Sequence, residues 1–191
     1  MEDFNKDDLV KSVDIKQLEG FIPDTRAYAI LEVLEEDEIL IHGGTNKTKD
    51  YSQIDVFDAE SLKWRLAGEV STVDPFLIFD KCLAGHTSNL IKTGINHKEK
   101  SIAVYGGFDG KSYSNAIYII ETDNYQFTQV DIRGGKVSEY PLPRCYHTAN
   151  YEDASNCLLV YGGWNGNVSS LHNQNFFSLW KFCFNRKFSI I

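Results

Sequence analysis

A thiol and an imidazole lie two positions apart at Cys145 and His147, which makes this pair the clearest candidate for chemistry in the sequence. Alternate side chains of a strand project to the same face, so the two groups could meet as a nucleophile and its general base. No third residue placed to orient the imidazole is visible in the sequence. His86 precedes a threonine just as His147 does. We therefore interpret both histidines as structural hydrogen-bonding residues at a repeated position and predict no catalytic residue.

The acidic and cysteine residues of the sequence also suit structural roles better than catalytic or metal-binding ones. Asp58 and Glu121 each follow an apolar run, where a carboxylate commonly accepts hydrogen bonds from the N–H groups of a turn. The four cysteines are spaced without a C-x-x-C pair, so we predict no metal site and no cofactor. We expect them to be small buried apolar side chains or free thiols of a reducing compartment. They are Cys82, Cys145, Cys157 and Cys183.

The bulk composition limits the possible partners. The chain has 191 residues, enough for one domain with a substantial core, and a formal net charge of −8. This acidity does not suit nucleic acid or an anionic membrane, both of which attract basic faces. The N-terminus has no apolar signal core, and no apolar run reaches membrane-spanning length. We expect a cytoplasmic or, alternatively, a cytoskeletal protein without membrane insertion.

The elements that carry these residues are predicted to be strands. An apolar run that ends abruptly at two glycines occurs at three places, Ile39–Gly44, Ile102–Gly107 and Leu158–Gly163. Runs that are partly β-branched and bounded by glycine are typical of buried strands. Further short strand-like segments flank each run. The sequence therefore predicts an all-β chain made of four-stranded antiparallel meanders.

A repeated spacing supports equivalent units. Trp64 follows Gly44 by 20 residues, and Phe127 follows Gly107 by 20 residues. An acidic residue stands six positions before each of these aromatic residues, whereas the third unit has no clear acidic–aromatic pair. We assign a polar N-terminal lead-in to residues 1–24 and repeats to residues 25–191, with units at approximately 25–70, 83–133 and 143–191.

Taken together, these motifs resemble the kelch repeat. The third unit contains Arg144–Thr148 followed by Tyr161–Gly163, and the second contains Gly85–Thr87 followed by Tyr105–Gly107. The first unit departs from the pattern, because Ala29-Ile30 stands in place of His-Thr; the second has phenylalanine in place of tryptophan. The residues that carry the motif are Gly43, Gly44, Trp64, His86, Gly106, Gly107, Phe127, His147, Gly162 and Gly163.

The resemblance implies a kelch-type β-propeller in which each four-stranded unit forms one blade. Propellers close with about four to eight blades. This chain supplies about three, so the ring would be incomplete and a strand edge would be exposed at each end. Three explanations stay open: the chain is a fragment, it self-associates to complete the propeller, or another protein covers its edges.

The resemblance also implies a non-enzymatic scaffold or adaptor that binds a partner protein. In kelch propellers the contacts tend to come from the loops between second and third strands and from residues that enter the first strand. The alternative interpretation is that the arginines pair with nearby carboxylates and that the aromatic residues pack between blades. The predicted partner-binding residues are Arg26, Lys47, Phe108, Asp109, Lys111, Tyr113, Arg144, Trp164 and Asn165.

Two other functions stay open at this stage. One is a structural subunit of a large assembly, whose neighbours cover the open edges. The other is the kelch-propeller domain of an enzyme, such as an oxidase, a specifier protein or a phosphatase-associated region. A copper oxidase would need clustered tyrosine, histidine and cysteine ligands, which the sequence does not indicate. We predict that the protein is not an enzyme.

Overall fold

The chain folds into three four-stranded antiparallel sheets. The computed structural model describes residues 21–34, 37–67, 81–93, 99–130, 140–166, 179–184 and 189–190. The prediction of an all-β chain is confirmed. Most of the predicted lead-in, residues 1–20, lies outside the described residues, as does the larger part of the link between the first two units.

Each sheet is a simple meander, because consecutive strands are hydrogen-bonded neighbours throughout. Sheet 1 contains β1 Ile30–Val33, β2 Glu38–His42, β3 Ile54–Asp58 and β4 Lys63–Leu66. Sheet 2 contains β5 Thr87–Thr93, β6 Glu99–Tyr105, β7 Ile117–Glu121 and β8 Phe127–Gln129. Sheet 3 contains β9 Cys145–Glu152, β10 Cys157–Trp164, β11 Trp180–Cys183 and β12 Ser189–Ile190. A single turn of 3-10 helix, Asp153–Ser155, joins β9 to β10.

The glycine-ended run is the second strand of every sheet, as the sequence predicts. In sheet 2, Ile102 on β6 lies opposite Leu90 on β5 and Ile120 on β7. Leu158 holds the same place in sheet 3, opposite Tyr151 and Phe182. Sheet 2 lies between the other two sheets and packs on both of its faces, which explains the continuous apolar sequence of β6.

The core lies between the sheets and consists of two clusters. The first joins sheet 1 to sheet 2 and centres on Leu40, Val56 and Ile102, all without solvent exposure. The second joins sheet 2 to sheet 3 and centres on Tyr105 and Leu158. The three sheets are therefore stacked in chain order, with β5 in contact with both β1 and β9.

The twin glycines connect each sheet to the next. The N–H of Gly44 donates to the carbonyl of Leu83, and the N–H of Gly107 donates to the carbonyl of Arg144, each at 2.8 Å. Gly106 has a positive φ of 69°, and a Cβ there would lie 2.7 Å from the same Arg144 oxygen. Glycine is thus required because a neighbouring backbone passes too close for a side chain.

The expectation that all cysteines are free or simply buried is wrong for two of them. Cys157 and Cys183 form a disulfide between directly opposed positions of β10 and β11, with their Cα atoms 4.0 Å apart. Cys82 and Cys145 are free. Sequence spacing concealed the pair because 26 residues separate its members, and only the register of the two strands brings them together.

Candidate interaction surface

The loops between second and third strands adjoin one another at one end of the stacked sheets. A Cβ placed on Gly110 in the second loop would lie 2.9 Å from Asp50 Oδ2 in the first loop. A Cβ placed on Gly166 in the third loop would lie 3.0 Å from the hydroxyl of Tyr113 in the second. The structure thus gathers the described parts of the three predicted binding loops; residues 167–170 of the third lie outside the described residues.

Two of these loops share one turn design. The Oδ1 atom of Asn46 accepts hydrogen bonds from the N–H groups of Thr48 and Lys49, both at 2.9 Å. Asp109 Oδ1 accepts from Lys111 N–H at 2.8 Å and from Ser112 N–H at 2.7 Å. These bonds lower the pKa of Asp109, so its carboxylate is committed to the turn.

The polar residues predicted to bind a partner are distributed over these turns. Lys47, Asp109 and Lys111 are exposed, and Asn165 is half-buried. The lysines occupy the loop tips, because the Asn46 and Asp109 turns hold the flanking backbone. Loops fixed in this way present their tips at little entropic cost.

Three predicted aromatic residues form a connected group beside these turns. The ring centroids of Phe108 and Tyr113 are 4.8 Å apart, and those of Tyr113 and Trp164 are 5.9 Å apart. Phe108 and Tyr113 belong to one loop of sheet 2, whereas Trp164 ends β10 of sheet 3. The contacts between these rings tie the loops together, and Trp164 keeps an exposed surface.

A second aromatic pair was not predicted from the sequence. Tyr28 and Tyr146 lie with ring centroids 5.1 Å apart and are 56% and 52% exposed. The Tyr146 ring lies over Gly85, where a Cβ would lie 2.6 Å from it. Burial raises the pKa of Tyr146. The backbone of Phe108 pairs with that of Ala84, the residue before Gly85, so the two aromatic groups adjoin.

We call the two groups together the aromatic patch. The signal that could have revealed its second half is positional, since Tyr28, Gly85 and Tyr146 are equivalent residues at the start of the three units, each two positions before Ile30, Thr87 or Thr148. All three residues have positive φ, and such a backbone is unusual for tyrosine. The aromatic patch consists of Tyr28, Phe108, Tyr113, Tyr146 and Trp164.

Both predicted arginines are internal. Arg144 has no exposed surface and donates from Nη1 to the carbonyl of Gly162 at 2.7 Å. Its Nε donates to the carbonyl of Leu142 at 2.9 Å. Arg144 also lies against the hydroxyl of Tyr105, where its charge partly offsets the rise that burial causes in the Tyr105 pKa. Arg144 is therefore an internal residue, but the acceptors at Gly162 and Leu142 are backbone carbonyls and not the carboxylate that the alternative interpretation expects.

Arg26 has a similar internal position. Its Nη2 lies 2.8 Å from Asp55 Oδ2, and the two side chains are 5% and 0% exposed. The guanidinium also stacks over the ring of Tyr51, 4.0 Å from the centroid. Burial raises the pKa of Asp55, although hydrogen bonding to Gln53 and the charge of Arg26 oppose this rise. The ion pair is therefore part of the packing of sheet 1.

The histidines have internal partners, as expected for structural residues. His42 Nδ1 lies 3.1 Å from His86 Nε2, and His147 Nε2 lies 2.8 Å from Thr87 Oγ1. Burial lowers the pKa of His42 and of His147 to about 4, and that of His86 well below its usual value. Burial also raises the pKa of Cys145 to about 11. A thiol that resists ionisation is a poor nucleophile.

The repeated acidic and aromatic residues also have structural contacts. Asp58 Oδ1 accepts from the N–H groups of Glu60 and Ser61, as predicted. Glu121 differs, because its Oε2 accepts from the side-chain amide of Asn124. The motif residue Trp64 packs on Phe57 with ring centroids 5.0 Å apart. Its counterpart Phe127 packs on Tyr118 at 6.0 Å.

No family model matches this chain, and no curated protein matches it. Among the described residues, no group of three or more histidine, cysteine, aspartate or glutamate side chains is arranged to hold a metal ion. No helix within those ranges has the length and apolar character needed to cross a membrane. The aromatic patch is thus the best-defined candidate site.

Proposed function

We propose that this chain is a non-enzymatic protein-interaction module, built as kelch-type propeller blades, that binds a partner protein through the aromatic patch. The observation that carries the proposal is the patch itself. Its five aromatic side chains come from all three stacked units and include the exposed pair Tyr28 and Tyr146. Tyrosine and tryptophan clusters of this kind are enriched at the centres of protein interfaces.

The backbone between the sheets supports the propeller arrangement. The N–H of Tyr146 donates to the carbonyl of Gly85 at 2.7 Å, and the N–H of Gly85 donates to the carbonyl of Tyr28 at 3.0 Å. Equivalent residues of the three units are thereby linked in series. Such a series suits units repeated around a common axis, with first strands innermost.

The ionisable groups favour binding over catalysis. The buried histidines and Cys145 have pKa values that oppose proton transfer or nucleophilic attack near neutral pH. Lys47 and Lys111 are exposed on adjoining loops of sheets 1 and 2, and the loop of Lys111 also carries Phe108 and Tyr113. This arrangement of an apolar centre with charged residues around it is the usual anatomy of a protein interface.

Substitution of the exposed tyrosines tests the proposal. Tyr28→Asn combined with Tyr146→Asn removes both rings and keeps residues that tolerate positive φ. Leu62→Asn is the matched control, since Leu62 is exposed in the β3–β4 turn and also has positive φ. A partner protein that crosslinks to the wild-type chain in a cell extract should no longer crosslink to the double variant, but should still crosslink to the control. Equal capture by both variants would refute a binding role for the patch.

A further inference from the structure

We propose that two copies of this chain associate head to tail, sheet 3 of each packing on sheet 1 of the other, to form a closed ring of six sheets. This inference rests on the proposed propeller arrangement but not on the aromatic patch. The two end faces of the stack carry the argument, because each repeats a face that is buried elsewhere in the same chain.

The outer face of sheet 1 is apolar and exposed. Leu31 and Val33 are 59% and 61% exposed. Val33 lies opposite Ile39, and Ile39 lies opposite Phe57. A contiguous apolar sheet face that faces solvent is unusual for a chain that functions alone.

The corresponding face of sheet 2 is covered by sheet 1. When the sheets are aligned on their glycine pairs, Ile39 and Phe57 correspond to Ile102 and Ile120. Those two residues have no exposed surface and belong to the cluster between sheets 1 and 2. The outer face of sheet 1 is thus built from positions that another sheet covers elsewhere.

The outer face of sheet 3 repeats the face of sheet 2 that sheet 3 covers. Asn89 Oδ1 of sheet 2 accepts a hydrogen bond from the N–H of Tyr151 in sheet 3 at 2.9 Å. Tyr105 of sheet 2 is fully buried beside His147 of sheet 3, with ring centroids 4.9 Å apart. Sheet 3 carries the same residue types at the same positions, Asn150 and Tyr161.

These counterparts in sheet 3 face solvent. Asn150 is exposed, and Tyr161 is 47% exposed. Gly162, which follows Tyr161, is also uncovered, unlike its equivalents in sheets 1 and 2. A Cβ on Gly43 or on Gly106 would collide with the carbonyl of Leu83 or of Arg144 in the following sheet. Gly162 has an equally positive φ of 75°, yet no described atom lies within 4 Å of the Cβ position.

Sheet 1 of a second copy has the residues needed to cover the outer face of sheet 3. In sheet 2 the second strand ends with Tyr105, and the residue that precedes the first strand of sheet 3, Arg144, lies against the tyrosine hydroxyl. In sheet 1 the second strand ends with His42, and the equivalent residue before the first strand of sheet 2 is Leu83. By this comparison, the sheet that covers Tyr161 is expected to have an arginine at the equivalent position.

In sheet 1 the residue at this position, before the first strand, is Arg26. Its Nη1 is buried and has no hydrogen-bond partner among the described residues. Asp55 and Tyr51 of the same chain cover this guanidinium, so in the proposed joint Tyr161 lies beside Arg26 at the entry to sheet 1 and leaves these contacts in place. Asn150 accepts from the backbone N–H of Val33, the counterpart of Tyr151. One contact is not reproduced, because Ala29 stands where His147 bonds to Thr87.

The number of copies follows from ring closure. Propellers contain about four to eight blades, so two copies of three sheets fall within this range, whereas one copy or three copies do not. A two-fold axis along the centre of the ring makes the two joints identical, as expected for a closed homodimer.

Complementary variants of the full 191-residue chain test the geometry. One variant carries Leu31→Glu and Val33→Glu on sheet 1; the other carries Asn150→Glu and Tyr161→Glu on sheet 3. Light scattering after gel filtration should show a dimer of the 21.7 kDa chain for the wild type. Each variant alone should dissociate at least about 100-fold more readily, because a joint that buries unpaired charge is strongly disfavoured.

An equimolar mixture of the two variants should recover a dimer, since one of its two joints contains only wild-type faces. Leu62→Glu, outside both faces, should stay dimeric, and circular dichroism should show native β structure for every variant. A wild-type monomer would overturn the proposal, as would open polymers or a mixture that stays monomeric. A monomer that still captures a partner through the aromatic patch would refute the ring and leave the proposed function standing.

Discussion

Acidification from pH 7.5 to pH 5 should destabilise the fold through its buried imidazoles. His42, His86 and His147 are all buried between the sheets. Burial holds the pKa of His42 and His147 at about 4, with Arg26 and Arg144 acting in the same direction. The pKa of His86 is also far below its usual value, because of burial and the two neighbouring histidines.

The direction follows from the number of bound protons. Between the unfolded pKa of about 6.5 and the folded pKa, the unfolded chain binds a proton at each histidine and the folded chain does not. Stability is therefore full above the unfolded pKa and falls as the pH decreases. His42 and His147 each cost about 2 kcal/mol between pH 7.5 and pH 5, or about 4 kcal/mol together, and His86 adds to the loss in the same direction. Total stabilities are typically about 5–15 kcal/mol, so this loss is large.

Urea unfolding at several pH values checks this prediction. His147→Gln should reduce the loss of unfolding free energy between pH 7.5 and pH 5 by about 2 kcal/mol, whatever its effect at pH 7.5. Lys47→Gln, an exposed loop substitution, should leave the pH dependence unchanged. A His147→Gln protein with the wild-type pH dependence would show that the imidazole is not held neutral in the folded state.

Four further predictions concern the disulfide, the glycine pairs and Arg144. Removing the disulfide with Cys157→Ser and Cys183→Ser should lower the unfolding free energy by about 2–4 kcal/mol in urea titrations, and an unchanged midpoint would refute this. Because disulfides persist chiefly in oxidising compartments, alkylation of the protein in cells followed by mass spectrometry should find this pair protected; full labelling would instead support the cytoplasmic location. In the Leu31→Glu and Val33→Glu background, which prevents the proposed dimer, urea titrations should show a cost of about 3 kcal/mol for Gly106→Ala and about 1 kcal/mol for Gly162→Ala, since only the first adds a clash to the backbone strain; equal costs would refute this. Arg144→Lys should lower the melting temperature nearly as much as Arg144→Ala, because lysine cannot reproduce a forked guanidinium; rescue by lysine would contradict that role.

The strand pattern was accessible from the sequence because its causes are local. The sequence predicts strands at 38–42 and 63–66, where apolar runs bounded by glycine or charged turns leave little choice of conformation, and these are the ranges of β2 and β4. It also predicts a strand at 26–33, but β1 begins only at Ile30, because the chain from Arg26 to Tyr28 forms only an isolated bridge to the first loop. The meander topology also followed from short connections between successive strands.

The candidate site was accessible only in part. Phe108, Tyr113 and Trp164 were predicted from their loops, and the structure brings them into contact. Tyr28 and Tyr146 were missed, because nothing local reveals that two residues so far apart in the chain bring their rings into contact. The solvent exposure of these two tyrosines could not be predicted from neighbouring residues either, because it depends on how the sheets pack.

The repeat could be derived from residue types alone, as equivalent all-β units, each with a glycine pair at the end of its second strand. These features depend on residue types a few positions apart, and the backbone responds to them locally. The tertiary structure alone decided which polar groups are internal. Arg144 looked like a surface residue and is fully buried, and Cys157 meets Cys183 across two strands. Both outcomes depend on how separate strands and sheets are aligned, and that alignment brings together side chains whose positions along the chain are unrelated.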